Sequence, residues 1–248
     1  MWNQMKRRAI YNTFAVLLIA VGASVAVTGQ SLRQKLDLQT DYRVLAIKPD
    51  EQLIEVARHF QIPMAIEWLD QPASADQSNR MKFERGSVLD LIKTILAQAP
   101  QQQMVFDDER LIRIFAPSVF KSRLNFLNMK LSGYCVSHES VFGADFQLRV
   151  GLDEMLYPKY FKYGFNGGYG GGEWLLLIGE LTICMNKPSI RDVLNEIVGQ
   201  SGRAAWIVNL KPKELQREKP FWKGVPVNEY GTSPLTGRWW FAELRESQ

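Results

Sequence analysis

Apolar residues return in the same order at a fixed spacing of 102 positions along this chain: Val88, Leu91, Ile92, Ile95 and Leu96 recur as Ile190, Val193, Leu194, Ile197 and Val198. Each set runs i, i+3, i+4, i+7, i+8, which lines one face of an α-helix. Each set opens with Ser-x-x-Asp, at Ser87 and Asp90 and again at Ser189 and Asp192. That is the spacing of a capping box, in which the hydroxyl takes up an orphan N–H and the acid reaches back to the cap. Met104 and Trp206 match at the same spacing, so the repeat continues past the helix. The pattern predicts one small folding unit present twice.

Around the first helix, residues 42–47 predict a strand. Pro49-Asp50-Glu51 opens a helix, because proline suits the first turn and acids favour the positive end of the helix dipole. Leu53, Val56, Ala57 and Phe60 form its buried face. Residues 64–68 return as a strand, 70–80 form a polar exposed loop, and 81–84 a further strand before the helix 88–99. Residues 104–106 and 111–115 flank Asp107-Asp108-Glu109-Arg110 as a β-hairpin. In the second half, 126–136 predicts a strand and 140–156 a helix carrying Leu148, Leu152, Met155 and Leu156. Residues 163–172 are rich in Gly and Tyr, 174–185 and 204–210 predict strands, and Gly202 stands where a left-handed helix stop belongs. Four prolines in 211–237 indicate an extended excursion, after which 238–244 forms a final strand. The expected architecture is α+β: two small modules of β-α-β-α-β-β type, at 42–117 and 118–248, each with helices on one face of its own sheet.

The first 29 residues differ in kind. Lys6, Arg7 and Arg8 precede an apolar run ending at Val27, with small residues beyond it. This is the layout of a secretory signal peptide. A retained membrane anchor is the alternative, because residues 9–27 are just long enough to span a bilayer. Either way the body is expected to be exported, either periplasmic or tethered to the inner membrane, with 30–41 as a linker and no other membrane contact. The three basic residues account for most of the net charge of +4 and leave the remainder at +1. A near-neutral body has no electrostatic footprint for nucleic acid. Cys135 and Cys184 lie in expected strands; an oxidising compartment permits a disulfide between them, and two buried thiols is the other reading.

Catalytic constellations are missing from the pattern, and the expectation is a non-enzyme without cofactor or metal. His59 sits beside an apolar helix stripe. Cys135-x-x-His138, even with Glu139 or Cys184, falls short of a structural zinc set. The Gly-rich run 165–172 lacks the Lys-Ser/Thr and following helix of a phosphate loop. Asp107-Asp108-Glu109 reads as turn chemistry and Asp153-Glu154 as a solvated helix face. Gly231-Thr232-Ser233-Pro234 lacks the closing glycine of a nucleophile elbow. Aromatic residues remain as contact candidates: Tyr163, Tyr169, Trp174, Trp239 and Trp240. Strand alternation sends Trp239 and Trp240 to opposite faces, so at most one of them is in the core.

Residues 42–116 resemble the short N-terminal module of secretins and TonB-dependent receptors, the STN domain. The similar parts are Leu53-x-x-Val56-Ala57-x-x-Phe60, the strand Met64-Ala65-Ile66, and Phe83-x-x-Gly86-Ser87-Val88-Leu89-x-Leu91-Ile92-x-x-Ile95-Leu96. The chain departs from the family at Gln61-Ile62-Pro63, where a small-residue stretch with glycine is usual. The resemblance implies a periplasmic module that docks onto other proteins of secretion or receptor machinery, and the second half looks like a divergent copy with insertions. Leu194-Asn195-x-Ile197-Val198 followed by Gly202-x-Ala204-Ala205-Trp206-Ile207-Val208 is also similar to bacterial envelope proteins, a likeness that carries no function. The leading expectation is therefore an envelope protein that binds a protein partner. The alternative is a module for cell-wall glycan or another small ligand, built on the Tyr/Gly loop and the tryptophans.

Overall fold

The computed structural model describes residues 30–70, 83–158, 181–222, 235 and 238–244. The chain divides into Met1–Ser31 and Leu32–Gln248, and every element below belongs to the second part. The expected leader or anchor at 1–29, the Tyr/Gly segment with Tyr163, Tyr169 and Trp174, residues 71–80 of the expected loop and most of the expected proline-rich excursion lie outside the described residues. No helix among the described residues is long and apolar enough to cross a membrane.

The protein is mixed α+β. Its strands are β1 (Gln39–Thr40), β2 (Met64–Leu69), β3 (Gly86–Ser87), β4 (Gln103–Asp107), β5 (Leu111–Phe115), β6 (Gly133–Glu139), β7 (Leu181–Asn186), β8 (Ala204–Leu210) and β9 (Trp239–Glu243). Five of them form one sheet in the order β4-β5-β2-β8-β9. The central strand β2 runs parallel to both β5 and β8, and the two outer pairs are antiparallel. β1 pairs with β3, and β6 with β7, in separate antiparallel ribbons.

This arrangement corrects the expectation of two sheets divided near residue 117. Ile66 of the first half lies beside Ile207 of the second in a single sheet. The cause is visible in β2 and β8. Met64-Ala65-Ile66-Glu67-Trp68 is buried without alternation, as is Ala204-Ala205-Trp206-Ile207-Val208. Strands buried on both faces need cover on both faces, so helices on one side alone cannot satisfy them.

That cover comes from α1 (Leu32–Asp37), α2 (Pro49–Phe60) and α3 (Val88–Leu96) on one side, and from α5 (Val141–Leu156) and α6 (Ile190–Ser201) on the other; short helices α4 (Pro117–Phe120) and α7 (Pro212–Leu215) follow β5 and β8. Met64, Ile66, Trp68, Ile112, Ile114, Ala205 and Ile207 join the core under α2 and α3. Ala65, Leu111, Ala204, Trp206, Val208 and Leu210 join the core under α6, which the β6–β7 ribbon extends through Tyr134, Val136, Leu181 and Ile183. The expectation of helices on one face only is thus replaced by a sheet between two helical layers.

Both repeated helices carry complete capping boxes. Ser87 Oγ accepts from the Asp90 N–H at 3.1 Å, and Ser189 Oγ accepts from the Asp192 N–H at 3.2 Å; each aspartate in turn accepts from its cap N–H. Gly202 ends α6 in the left-handed region at φ 59°. The expected strand at 42–47 does not form. The N–H groups of Leu45 and Ala46 instead donate to the Glu55 carboxylate at 2.8–3.1 Å, so a side chain takes the place of a neighbouring strand. In place of the strand expected at 81–84, Gly86–Ser87 pairs with Gln39–Thr40; residues 81–82 are not described. The strand expected from 126 begins at Gly133, because Asn125 caps a 3-10 turn at Phe126–Asn128.

Candidate functional site

The two adjacent tryptophans of β9 separate as the strand pleat requires. Trp239 is a core residue. Its Nε1–H donates to Asp145 Oδ1 at 2.7 Å, and the Arg149 guanidinium lies 4.4 Å from the centre of its ring. Burial pushes the Asp145 carboxyl above the ordinary range, against the pull of Arg149 and the Trp239 donor. Trp239 therefore cannot serve as a partner contact. Trp240 points the other way and is 45% exposed. Trp206 is buried and donates to Asn195 Oδ1 at 3.1 Å.

Trp240 lines a cleft of about 650 Å³, together with Tyr42, Asp50, Arg58, His59 and Asn209. Ile54 and Ile207, both buried, contribute apolar lining. The cleft draws on both halves of the chain, and it exists because β8 and β9 lie in the same sheet as β2. Residues 41–48 run along its rim outside any regular element, with Tyr42, Ala46 and Lys48 contributing to the lining.

Glu55 organises that rim. Besides the Leu45 and Ala46 N–H groups it accepts the Tyr42 hydroxyl at 3.0 Å. Partial burial and this bond to Glu55 push the Tyr42 phenol up to about 12. The Tyr42 ring stacks on His59 with centroids 3.9 Å apart, and Phe60 meets both edge-on. At the start of α2, Asn209 Nδ2 donates to Asp50 Oδ2 at 3.3 Å. Glu51 pairs with Lys48 at 3.2 Å. The cleft combines ring surfaces with both donors and acceptors, a composition suited to holding a ligand by stacking and hydrogen bonding.

The rim also has an outer side. Leu45 is 85% and Ile47 74% exposed. Among the described residues no strand pairs with 41–48, and none pairs with the outer edges of β4 and β9. A smaller groove of about 390 Å³ lies beside β4, with Leu32, Leu36, Leu89 and Phe106 in its lining.

Cys135 and Cys184 face each other across β6 and β7, with Cα atoms 4.1 Å apart, and are joined as a disulfide on the exposed side of the ribbon. The bond removes the thiolates that Cys135-x-x-His138 would need for a metal. His138 lies within a break in the β6 register, between Val136 and Glu139, and sits with its Nδ1 2.8 Å from Ser137 Oγ. Among the described residues no three His, Cys, Asp or Glu side chains gather as metal ligands. Asp108 and Glu109 form the tight turn of the β4–β5 hairpin, both with positive φ. Asp153 is buried, not solvated as its charge suggested, whereas Glu154 is exposed.

The sequence reading missed Tyr42, Asp50 and Asn209 as a group. Their meeting depends on β8 lying beside β2, which no local pattern announces. The strand-like composition of 42–47 is the one sequence feature that touches the cleft. Comparison of the chain with family models, with curated proteins and with solved structures returns no match.

Proposed function

We propose that this chain is a non-enzymatic, exported envelope protein that holds a protein partner by strand pairing along residues 41–48. The observation that carries this reading is the rim itself. It has the alternation and β-forming composition of a strand, it presents Leu45 and Ile47 to solvent, and no strand of the described chain pairs with it. A partner strand laid beside it would cover both aliphatic side chains and pair with the main-chain groups that Glu55 and Gln52 leave open, as in β-augmentation. The STN-like pattern of the first half supports docking to secretion or receptor machinery. The signal-like N-terminal sequence and the Cys135–Cys184 disulfide support an oxidising compartment, periplasmic or on the outer side of the inner membrane.

Photo-cross-linking in living cells from Leu45 and Ile47, with exposed Glu154 as control position, tests the reading. The expected result is one adduct of defined mass, formed from positions 45 and 47 and not from 154, with the adduct from 47 lost on introducing Leu45→Asp. Equal adducts from all three positions, or none from 45 and 47, would refute it.

A further inference from the structure

The inner side of the same rim points to a second activity. We propose that the cleft lined by Trp240, Tyr42 and α2 binds a short neutral oligosaccharide, with Trp240 and the Tyr42–His59 stack as ring platforms and Asp50, Asn209 and Arg58 as hydroxyl partners.

Shape is the first argument. Asp50 and Arg58 both line the cleft and stand eight residues apart on α2, which at 1.5 Å rise per residue is roughly 12 Å. The opening is therefore elongated along the helix, as a chain of rings requires and a single ring does not. Its volume of about 650 Å³ falls within the usual range for small-ligand sites.

Surface chemistry is the second. Trp240 leaves an indole exposed on the cleft wall while Trp239 and Ala242 in the same strand are buried. Exposed tryptophan is costly in apolar area and is enriched where a surface makes contacts. The Tyr42–His59 stack adds a second aromatic platform.

Charge is the third. Glu55 is occupied by the Tyr42 hydroxyl and two backbone N–H groups, and Glu51 is paired with Lys48. This leaves Asp50, held by Asn209, and Arg58, which no carboxylate among the described residues pairs with. Glu55 keeps its charge because its partners are neutral, so the lining sets Lys48 and Arg58 against Asp50, Glu51 and Glu55, a net charge of −1 that disfavours a phosphate and is too small to select a polyamine. Acceptors at Asp50 and Asn209 and donors at Arg58 match hydroxyl groups, which both donate and accept.

Calorimetric titration of the full chain, monitored in parallel by tryptophan emission, decides the matter. The probes are neutral trisaccharides of glucose, N-acetylglucosamine, galactose and mannose, with triglycine and inorganic phosphate as zwitterionic and anionic controls. Saturable binding of at least one trisaccharide at millimolar or lower concentration is expected, with weaker binding of the matching monosaccharide. Trp240→Ala should weaken it about tenfold or more, about 1.4 kcal/mol, and Arg58→Ala should weaken it while leaving the fold intact. Leu45→Asp should leave it unchanged, which separates this site from partner docking on the outer side of the rim. Absence of trisaccharide binding, equal binding by Trp240→Ala and Arg58→Ala, or preference for triglycine or phosphate would overturn the proposal.

Discussion

Glu67 on β2 and Arg191 on α6 lie 124 residues apart in sequence and form a bidentate ion pair in the interior, with Arg191 Nη2 2.7 Å from Glu67 Oε2. The same guanidinium donates to Asn128 Oδ1 and to the Phe120 carbonyl, and lies 3.9 Å from the centre of the Phe120 ring. The pair fastens the central strand of the first half to the capped helix of the second. Buried ion pairs add little net stability against a well-packed apolar replacement, but breaking one leaves an uncompensated charge. Arg191→Met is therefore expected to destabilise the protein by about 3–5 kcal/mol, whereas Glu67→Leu combined with Arg191→Met should recover most of the loss. Urea unfolding of the three proteins measures this, and equal stability of Arg191→Met and the parent would contradict it.

The capping boxes give stability a defined pH dependence. Hydrogen bonds from Ser87 hold the Asp90 carboxyl below its ordinary range. Burial pushes Asp192 up, but the bonds from Ser189 and the nearby Lys130 outweigh it and the net direction is also down. A carboxyl with a lowered folded pKa contributes stability above its ordinary pKa and loses it as pH falls through the lowered value. Ser189→Ala is expected to cost about 1 kcal/mol at neutral pH, and the difference from the parent should narrow as Asp192 is protonated. Glu67 and Asp145 act in the opposite sense. Burial raises both, so their contribution is greatest below the ordinary carboxylate range and declines as pH rises through the raised values. Parallel stability curves for parent and Ser189→Ala across the acid range would remove the capping account.

Tyr42 reports on the rim of the cleft. With its phenol at about 12, its contribution to stability is complete below the ordinary tyrosine value and is lost as pH rises through about 12. Ultraviolet difference titration of the parent should show one tyrosine near that value. Glu55→Gln should move it toward the ordinary range, because the acceptor charge is gone. An unmoved titration in Glu55→Gln would show that Glu55 does not hold the rim.

The hairpin turn between β4 and β5 places Asp108 at φ 46° and Glu109 at φ 57°, where L-residues with a Cβ are strained. Asparagine followed by glycine is preferred in such turns. Asp108→Asn with Glu109→Gly should raise stability by roughly 0.5–1 kcal/mol. Thermal denaturation checks this, and a lower midpoint would show that these side chains make contacts that outweigh the strain.

Much of the local structure was legible in the sequence, because local rules govern it. The stripes from Val88 and Ile190, the caps at Ser87 and Ser189, the stop at Gly202, the hairpin at 103–115 and the opposite faces of Trp239 and Trp240 are all set by neighbours within a few residues. Strand pairing is not. The side-by-side placement of Ile66 and Ile207 joins residues far apart in the chain, and the clue lay in what β2 and β8 lack, a polar face. Residues 42–47 have the apolar, β-forming composition of a strand, yet Glu55 captures the Leu45 and Ala46 backbone donors, a tertiary contact that composition cannot show. The cleft was missed for the same reason: Tyr42 and Trp240 are brought together only by the shared sheet.

Amide hydrogen exchange under native conditions tests that shared sheet most directly. With β2 and β8 paired from Met64 beside Ala205 to Leu69 beside Leu210, their slowest amides should open together at one free energy, and Arg191→Met should lower both by the same amount. Separate opening of the two strands, with only one of them responding to Arg191→Met, would show two independent modules and leave the cleft without its second wall.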